Sequence, residues 1–251
     1  MRVASYNIDA AATADQREHQ FTRLAELGLD VLGIQEAKHW DRDGWAQLHE
    51  AEILLGMRGF PVPSNHHGCH LVLFVREPKV RVLRERHDRA APYWHALCGL
   101  EIVLDEHLFD RIDLYNTHLA PSSPTTRLAE AETFHLLTKR APVILLGDFN
   151  ALPAGDPNPP RTDASYRSVR RKLDRTPAAV IAEAGFTDVG AHLEDTTPTV
   201  GHAPGSKLAY RCDRICTTLP PAAITGYQVV TDLDDCSDHR PVVAEFTFAK
   251  A

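Results

Sequence analysis

Val143-Ile144-Leu145-Leu146-Gly147-Asp148-Phe149-Asn150 is an apolar run closed by a glycine, a carboxylate and, two residues on, a carboxamide. So short and wholly apolar a run fits a strand in the middle of a sheet covered on both faces. Asp148 and Asn150 then leave its end on one side. A carboxylate there can hold and polarise a water, and a carboxamide beside it can donate to a phosphoryl oxygen without adding negative charge. An Asx-type turn closing the strand accounts for the triplet equally well.

Working outward, the chain alternates strands and helices. Val3–Ile8 reads as a strand, and Thr13 or Asp15 caps a helix to about Leu27 with Phe21, Leu24 and Leu27 on one face. Val31–Ile34 is a buried strand delivering Gln35 and Glu36, and a helix is expected from Gly44 to Leu55. Strands follow at Leu71–Val75, Val80–Leu83, Ala96–Leu104 and Ile112–Thr117, then a helix from Pro124 to about Thr138, proline suiting its first turn. Residues 153–176 read as a surface loop with about one helical turn, and Ala178–Ala184 as a short helix. Asp213–Thr217, Tyr227–Val230 and Val242–Phe248 are the last strands. With no repeat, linker or shift in composition, 1–251 is expected to be a single α/β domain of two stacked sheets with helices outside.

The bulk properties narrow the class. Of 251 residues, 43% are hydrophobic and 24% charged, ordinary for a globular protein with a sizeable core. No stretch approaches the roughly 20 apolar residues of a membrane span. The first residues run directly into a strand with no secretory pattern, so a cytoplasmic location is expected. The five cysteines lack metal or redox spacing. A formal charge of −7 disfavours holding long nucleic acid by bulk electrostatics, though not a local cationic groove.

Three more polar sites sit at strand ends. Cys236-Ser237-Asp238-His239-Arg240-Pro241 precedes the last strand, placing two titratable groups at its mouth. A histidine there can shuttle a proton or, when charged, neutralise a phosphate. Glu36 follows Val31–Ile34, where a lone carboxylate can ligate a hard cation. His118 leaves the strand Leu114-Tyr115-Asn116-Thr117. Each alone is explained by a surface turn or a strand-end side chain; four at four strand ends are not.

Asn7 in Ala4-Ser5-Tyr6-Asn7, Glu36 in Gly33-Ile34-Gln35-Glu36, Asn116-Thr117-His118-Leu119, Gly147-Asp148-Phe149-Asn150, Asp213-Arg214-Ile215 and Ser237-Asp238-His239 occur in that order. The ordered set resembles the endonuclease/exonuclease/phosphatase family, which includes pancreatic-type deoxyribonucleases, apurinic endonucleases, deadenylases, inositol polyphosphate 5-phosphatases and neutral sphingomyelinases. The resemblance runs from Asn7 to His239 and implies a four-layered α/β/β/α sandwich of two packed, mainly antiparallel sheets. It implies Mg²⁺ or Mn²⁺ at Glu36, helped by Asn7 and Asp238. It gives Asp148 the attacking water and Asn150 the scissile phosphate. His118 and His239 would bind phosphoryl oxygens or move protons, with Asp213 fixing His239. The implied reaction is in-line attack of water on phosphorus.

One departure bears on His118. In pancreatic-type members a carboxylate supports this histidine; Cys69, within His66-His67-Gly68-Cys69-His70, takes its place here, which leaves the orientation of His118 open. Three histidines and a cysteine in one turn do not all face one ion, so that loop is read as substrate-side or plain surface. Arg161, Arg167, Arg170, Arg171, Lys172 and Arg175, with Tyr166, form a basic segment. It is either a phosphate-gripping edge, with Arg161, Tyr166, Arg170 and Arg171 as candidate substrate contacts, or a solvated helix. Asp232, Asp234 and Asp235 stand against long polyanions, so a short nucleic acid or small phosphodiester is the expected partner, with no obligate protein partner. The leading expectation is a phosphodiesterase or nuclease. The alternatives are a family member recruited to an unusual small phosphorylated metabolite and a catalytically idle binding module.

Overall fold

The computed structural model describes residues 1–104, 111–159 and 161–248. Along the chain run β1 (Arg2–Asn7), α1 (Ala14–Glu26), β2 (Val31–Lys38), α2 (Ala46–Leu55), β3 (Arg58–Val62), β4 (Cys69–Val75), β5 (Val80–Glu85), β6 (Leu97–Leu104) and β7 (Ile112–His118). Then come α3 (Pro124–Thr133), β8 (Val143–Asp148), β9 (Arg161–Thr162), α4 (Arg167–Lys172), α5 (Thr176–Glu183), β10 (Thr187–Asp188), α6 (Val189–His192), β11 (Leu208–Ala209), β12 (Asp213–Thr217), β13 (Ile224–Val229) and β14 (Val242–Phe246). Two six-stranded sheets result, ordered β13-β14-β1-β2-β4-β3 and β10-β12-β8-β7-β6-β5, with β9 and β11 paired apart.

The layers follow from alternation along the strands. Ile144 and Leu146 face the other sheet with Val31, Leu73 and Leu114, while Leu145 turns outward to meet Phe134 and Ile181 under α3 and α5. On the opposite outside, Leu32, Ile34 and Phe74 pack against Phe21 and Leu24 of α1 and Leu48 and Leu55 of α2. Thus β8 is apolar throughout because both its faces are covered. The architecture is the expected α/β/β/α sandwich, and among the described residues no helix is long and apolar enough to cross a membrane.

Several boundaries differ from the sequence reading for local reasons. Thr13 does cap α1, in a reciprocal pair with Gln16. However, α2 begins at Ala46 rather than Gly44, because Asp43, Gly44 and Trp45 all take positive φ. The helix expected to Thr138 is α-helical to Thr133 and continues as a 3-10 turn over Phe134–Lys139. β3 carries Gly59 and Pro61, which mask it as a strand but are tolerated at the sheet edge it occupies. The loop over 153–176 contains β9 and α4.

The two sheets share one pairing scheme. In each, a parallel pair joined through a helix (β1–β2 by α1, β7–β8 by α3) is flanked on both sides by antiparallel strands. The carboxyl ends of the parallel strands and the amino ends of their antiparallel neighbours therefore lie on one side of the sandwich. Asn7, Glu36, His118 and Asp148 leave or end the parallel strands, while Cys69, His95, Asp213 and His239 start or precede the others.

A bulge aims Glu36. The β2–β4 register shifts between Ile34 and Ala37, and Glu36 takes φ 62°, a left-handed conformation unusual for a glutamate. The carboxamide of Asn116, wholly buried on the facing sheet, donates to the carbonyls of Ile34 (2.8 Å) and Val72 (2.9 Å) and accepts from Gln35 Nε2 (2.7 Å). Gly33 makes room, since a Cβ there would lie 1.9 Å from Leu146 Cδ1 and 3.1 Å from the Asn116 carboxamide carbon. Replacing Asn116 by leucine removes the donor from two buried carbonyls, each loss costing about 1–3 kcal/mol. Asn116→Leu is therefore expected to lose about 3 kcal/mol or more in urea unfolding; a loss below about 1 kcal/mol would contradict this role.

Candidate active site

Asp148 closes its triplet with one carboxylate oxygen and meets neighbouring side chains with the other. Its Oδ1 accepts from the Asn150 backbone N–H (2.8 Å), an Asx-type closure that supports the positive φ of Asn150. Its Oδ2 accepts from Asn150 Nδ2 (3.2 Å) and Asn7 Nδ2 (3.4 Å), with His118 Nε2 3.3 Å away. Burial alone would raise its pKa, but His239, His118 and Lys172 outweigh it and hold the carboxyl well below the usual range. The strand can turn there because Gly147 has φ 149°, where a Cβ would meet the Thr117 carbonyl oxygen at 1.9 Å. Phe149 points into the core, under the guanidinium of Arg214 at 4.1 Å.

His239 is pinned by Asp213, Nδ1 lying 2.9 Å from Oδ2 and 3.0 Å from Oδ1. Asp213 also accepts from the Thr199 hydroxyl at 2.6 Å. With Nδ1 engaged, Nε2 faces the Asn7 amide (3.5 Å) and Asp148 Oδ2 (3.9 Å). Burial opposes charge on this imidazole, yet Asp213 and Asp148 keep its pKa well above the ordinary value. Ser237 fixes the loop by donating to the Asn7 carbonyl (2.8 Å) and accepting from the His239 N–H (3.0 Å). Asp148, Cys212, Asp213 and His239 bring ligand atoms within 4.8 Å of one another. Burial and the neighbouring Asp213 hold the Cys212 thiol well above its ordinary pKa, and Asp213 occupies His239 Nδ1. Within this group Asp213 and His239 are thus already partnered with each other.

Oxygen donors of the kind that could hold a hard cation lie on the other sheet. Glu36 accepts from Asn7 Nδ2 (3.1 Å) and the Ala10 N–H (3.0 Å). Asp238 is exposed, and its carboxyl is pushed up by partial burial and by Asp9, Glu36 and Asp148, despite His239. Carboxylates that converge on Asp238 and offer hard oxygen donors fit a divalent Mg²⁺-like ion. Asp9, which no sequence motif singled out, joins this group beside Asp238.

His118 is supported by a ring instead of a carboxylate. It stacks on His95 with centroids 4.3 Å apart and planes at 19°. Its Nδ1 is buried and has no partner among the described residues. His95 Nδ1 is held by the Ser64 hydroxyl (2.8 Å), and burial followed by the nearness of His118 lowers its pKa to about 2. Glu130 of α3 clamps both segments, accepting from the N–H groups of Trp94 (2.7 Å) and Ala120 (2.9 Å). The His66–His70 run disperses. His66 stacks on Trp94 at 3.8 Å, His70 meets Asp41 at 2.8 Å, and the Cys69 thiol, pushed up to about 11 by burial and Glu36, approaches the His67 carbonyl.

Of the basic segment, Lys172 enters the site, donating to Asn150 Oδ1. Arg170 is occupied by the carbonyls of Ala164 (2.7 Å) and Ser165 (3.0 Å), and Arg171 by that of Ser122 (2.9 Å). Tyr166 is exposed, with Lys207 Nζ 5.5 Å from its ring centroid. Arg161 lies in β9 opposite Ala209, its side chain outside the described residues. Two of the three nearby acids are neutralised, Asp232 by Arg23 (2.7 Å) and Asp234 by Arg240 (2.7 Å). Beside Asn150, Asp238 and His239 opens a pocket of about 240 Å³ walled by Ser168, Lys172, Val200, Lys207, Leu208 and Tyr210. The sequence reading missed His95 and Thr199; the one available signal was that His95, like His239, precedes a strand antiparallel to a site-bearing one.

Comparison with known proteins bears on the family and the fold. The Endonuclease/Exonuclease/phosphatase family model matches residues 4–239. Similar solved structures include humanized D. rerio TDP2 (18% identity, 99% of each chain, TM-score 0.71) and an AP endonuclease from Archaeoglobus fulgidus (18%, 99% of this chain and 100% of that one, 0.68). A mannosyl-6-phosphatase from Bacteroides thetaiotaomicron is comparable (19%, 99% and 100%, 0.67). No curated protein sequence matches the chain.

The neutral His95 generates a pH test. Its folded pKa of about 2 lies far below the unfolded value near ~6.5, so its stabilising contribution is complete above about pH 6.5 and fades as pH falls. From about pH 6.5 down, this group makes wild type lose about 1.4 kcal/mol per pH unit. His95→Phe, which keeps a flat ring, is expected to lack that component. Urea unfolding at pH 7.5, 6 and 4.5 should show the two stabilities converging or crossing; parallel curves would refute the assignment.

Proposed function

Because the chain belongs to the Endonuclease/Exonuclease/phosphatase family, we propose that it is a divalent-metal-dependent phosphoester hydrolase, working as a phosphodiesterase or nuclease on a short nucleic acid or small diester. The observation that carries this is the meeting of an ionised, buried Asp148 with an Asp213-pinned His239, beside oxygen donors suited to a cation. Asp148 Oδ2 is the acceptor that holds the attacking water and takes its proton. His239 presents Nε2 as a charged donor toward the phosphoryl group, and Asp213 keeps that face in place. His118 lies on the other side of Asp148, placed to bind a phosphoryl oxygen or move a proton. Glu36, Asn7 and Asp238, joined by Asp9, would hold Mg²⁺ or Mn²⁺, which when bound offsets negative charge on the phosphorus centre.

A small phosphorylated metabolite, cleaved as a monoester, is the second reading. It is favoured by the pocket of about 240 Å³ between α4 and the segment carrying Val200, Lys207 and Leu208, below the ~300–1,000 Å³ typical of sites for larger ligands. The Arg170 and Arg171 guanidinium groups already serve backbone carbonyls, so they offer little grip on a long strand.

Initial rates on bis-(p-nitrophenyl) phosphate, p-nitrophenyl phosphate and a short oligonucleotide, with Mg²⁺, Mn²⁺ or EDTA, separate these readings. Turnover is expected with either metal and none with EDTA. Asp148→Ala and His239→Ala should each lower kcat/KM by about 10²–10⁴-fold. Undiminished activity in both variants would rule out the mechanism. Binding without turnover across a wide phosphoester panel would make the protein a binding module.

A further inference from the structure

The Asn150 carboxamide is fully engaged within the protein. Its Nδ2 donates to the Leu119 carbonyl (3.0 Å) and to Asp148 Oδ2 (3.2 Å), and its Oδ1 accepts from Lys172. Amide orientation is often ambiguous, but here it is fixed by chemistry. A carbonyl can only accept and an ammonium can only donate, so turning the amide over would set like against like at both ends. Each amide hydrogen therefore has an acceptor already, and neither remains for a phosphoryl oxygen.

Lys172 has what Asn150 lacks. An ammonium carries three hydrogens, and Asn150 Oδ1 takes one. The same side chain lines the pocket with His239, Ser168 and Lys207, and with Asp238 on the acidic side. Its backbone is anchored: the Lys172 carbonyl accepts from the Leu152 N–H (3.1 Å), and buried Arg127 of α3 donates to the adjacent Arg171 carbonyl. The end of α4 is thereby tied to the segments that follow β7 and β8.

Resting on the hydrolase reading above, we propose that Lys172, not Asn150, is the side chain of this region that donates to the phosphoryl oxygens. Asn150 is a positioning residue, holding the Lys172 ammonium at one end and the Asp148 carboxylate at the other. The phosphoryl group then sits between Lys172 and His239, two donors, with Asp148 behind the attacking water.

Inorganic phosphate is the probe, since its binding can be followed by calorimetry without turnover. Lys172→Met keeps the chain length and is expected to weaken phosphate binding at least tenfold and to lower kcat/KM by about 10²-fold, as for loss of one oxyanion donor. Lys172→Arg should recover part of both. Asn150→Ala should lower kcat while leaving the phosphate Kd within about threefold. Phosphate bound by Lys172→Met as by wild type would overturn the proposal, as would Asn150→Ala losing phosphate binding while Lys172→Met keeps it. Thermal unfolding of Lys172→Arg beside Lys172→Met checks that the fold survives. Lys172-dependent phosphate binding with no turnover on any ester would leave this inference standing and defeat the hydrolase reading. Turnover unaffected by Lys172→Met would do the reverse.

Discussion

One buried carboxamide sets the relation between the two halves of the site. Asn116 spans the gap between the sheets and serves the carbonyls that the β2 bulge leaves without strand partners. Without that bulge Glu36 would alternate with its neighbours and face a different side. Without Asn116 the bulge would bury unpaired carbonyls. The placement of Glu36, on one sheet, therefore depends on a side chain that leads toward His118 on the other. Gly33 permits the close approach of the sheets by having no side chain against Leu146 and Asn116, and Gly147 does the same within its own sheet against the Thr117 carbonyl.

Around that frame, charge is arranged by compensation. Asp148 is ionised despite burial because histidines and Lys172 surround it, and His239 is charged despite burial because Asp213 and Asp148 do the same in return. His95 goes the opposite way, neutral beside His118. A flat uncharged ring against His118 gives it orientation without adding a fixed negative charge. That is a different solution from a supporting carboxylate, and Cys69, with its thiol kept protonated, does not supply one either.

Much of this was legible in the sequence where chemistry and strand ends coincide. Asp148 and His239 sit beside apolar runs that must be buried, so their polar exits stand out. Glu36 is readable for the same reason, though the bulge that turns it is not, whereas Asn7 and Asp213 came only with the family resemblance. A bulge depends on register with β4, which no local pattern records. Lys172 was one cation among several. Only the path of α4 back across the site separates it from Arg170 and Arg171, whose guanidinium groups turn to nearby carbonyls. β3 was hidden by Gly59 and Pro61, residues that argue against a strand except at the edge of a sheet. The acidic run at 232–235 is less bare than its composition suggests, because Arg23 and Arg240, the former remote in sequence, pair with two of its members.

The shared pairing scheme of the sheets has a consequence for how such a molecule can change. Each sheet offers the same set of strand ends to one surface, yet the two have taken on separate duties. The first carries Asn7 and Glu36, the second His118 and Asp148, and the strands antiparallel to them supply His239 and His95 at matching places. Chemistry is thus written on strand ends that hydrogen bonding holds rigid. The surrounding walls, α4 with β9 and β11 on one side and the turn bearing His66 and His67 on the other, are short pieces outside both ladders. Such walls can be exchanged or reshaped while the reacting atoms stay where they are. A scaffold of this kind lets its walls vary without moving the side chains at its strand ends.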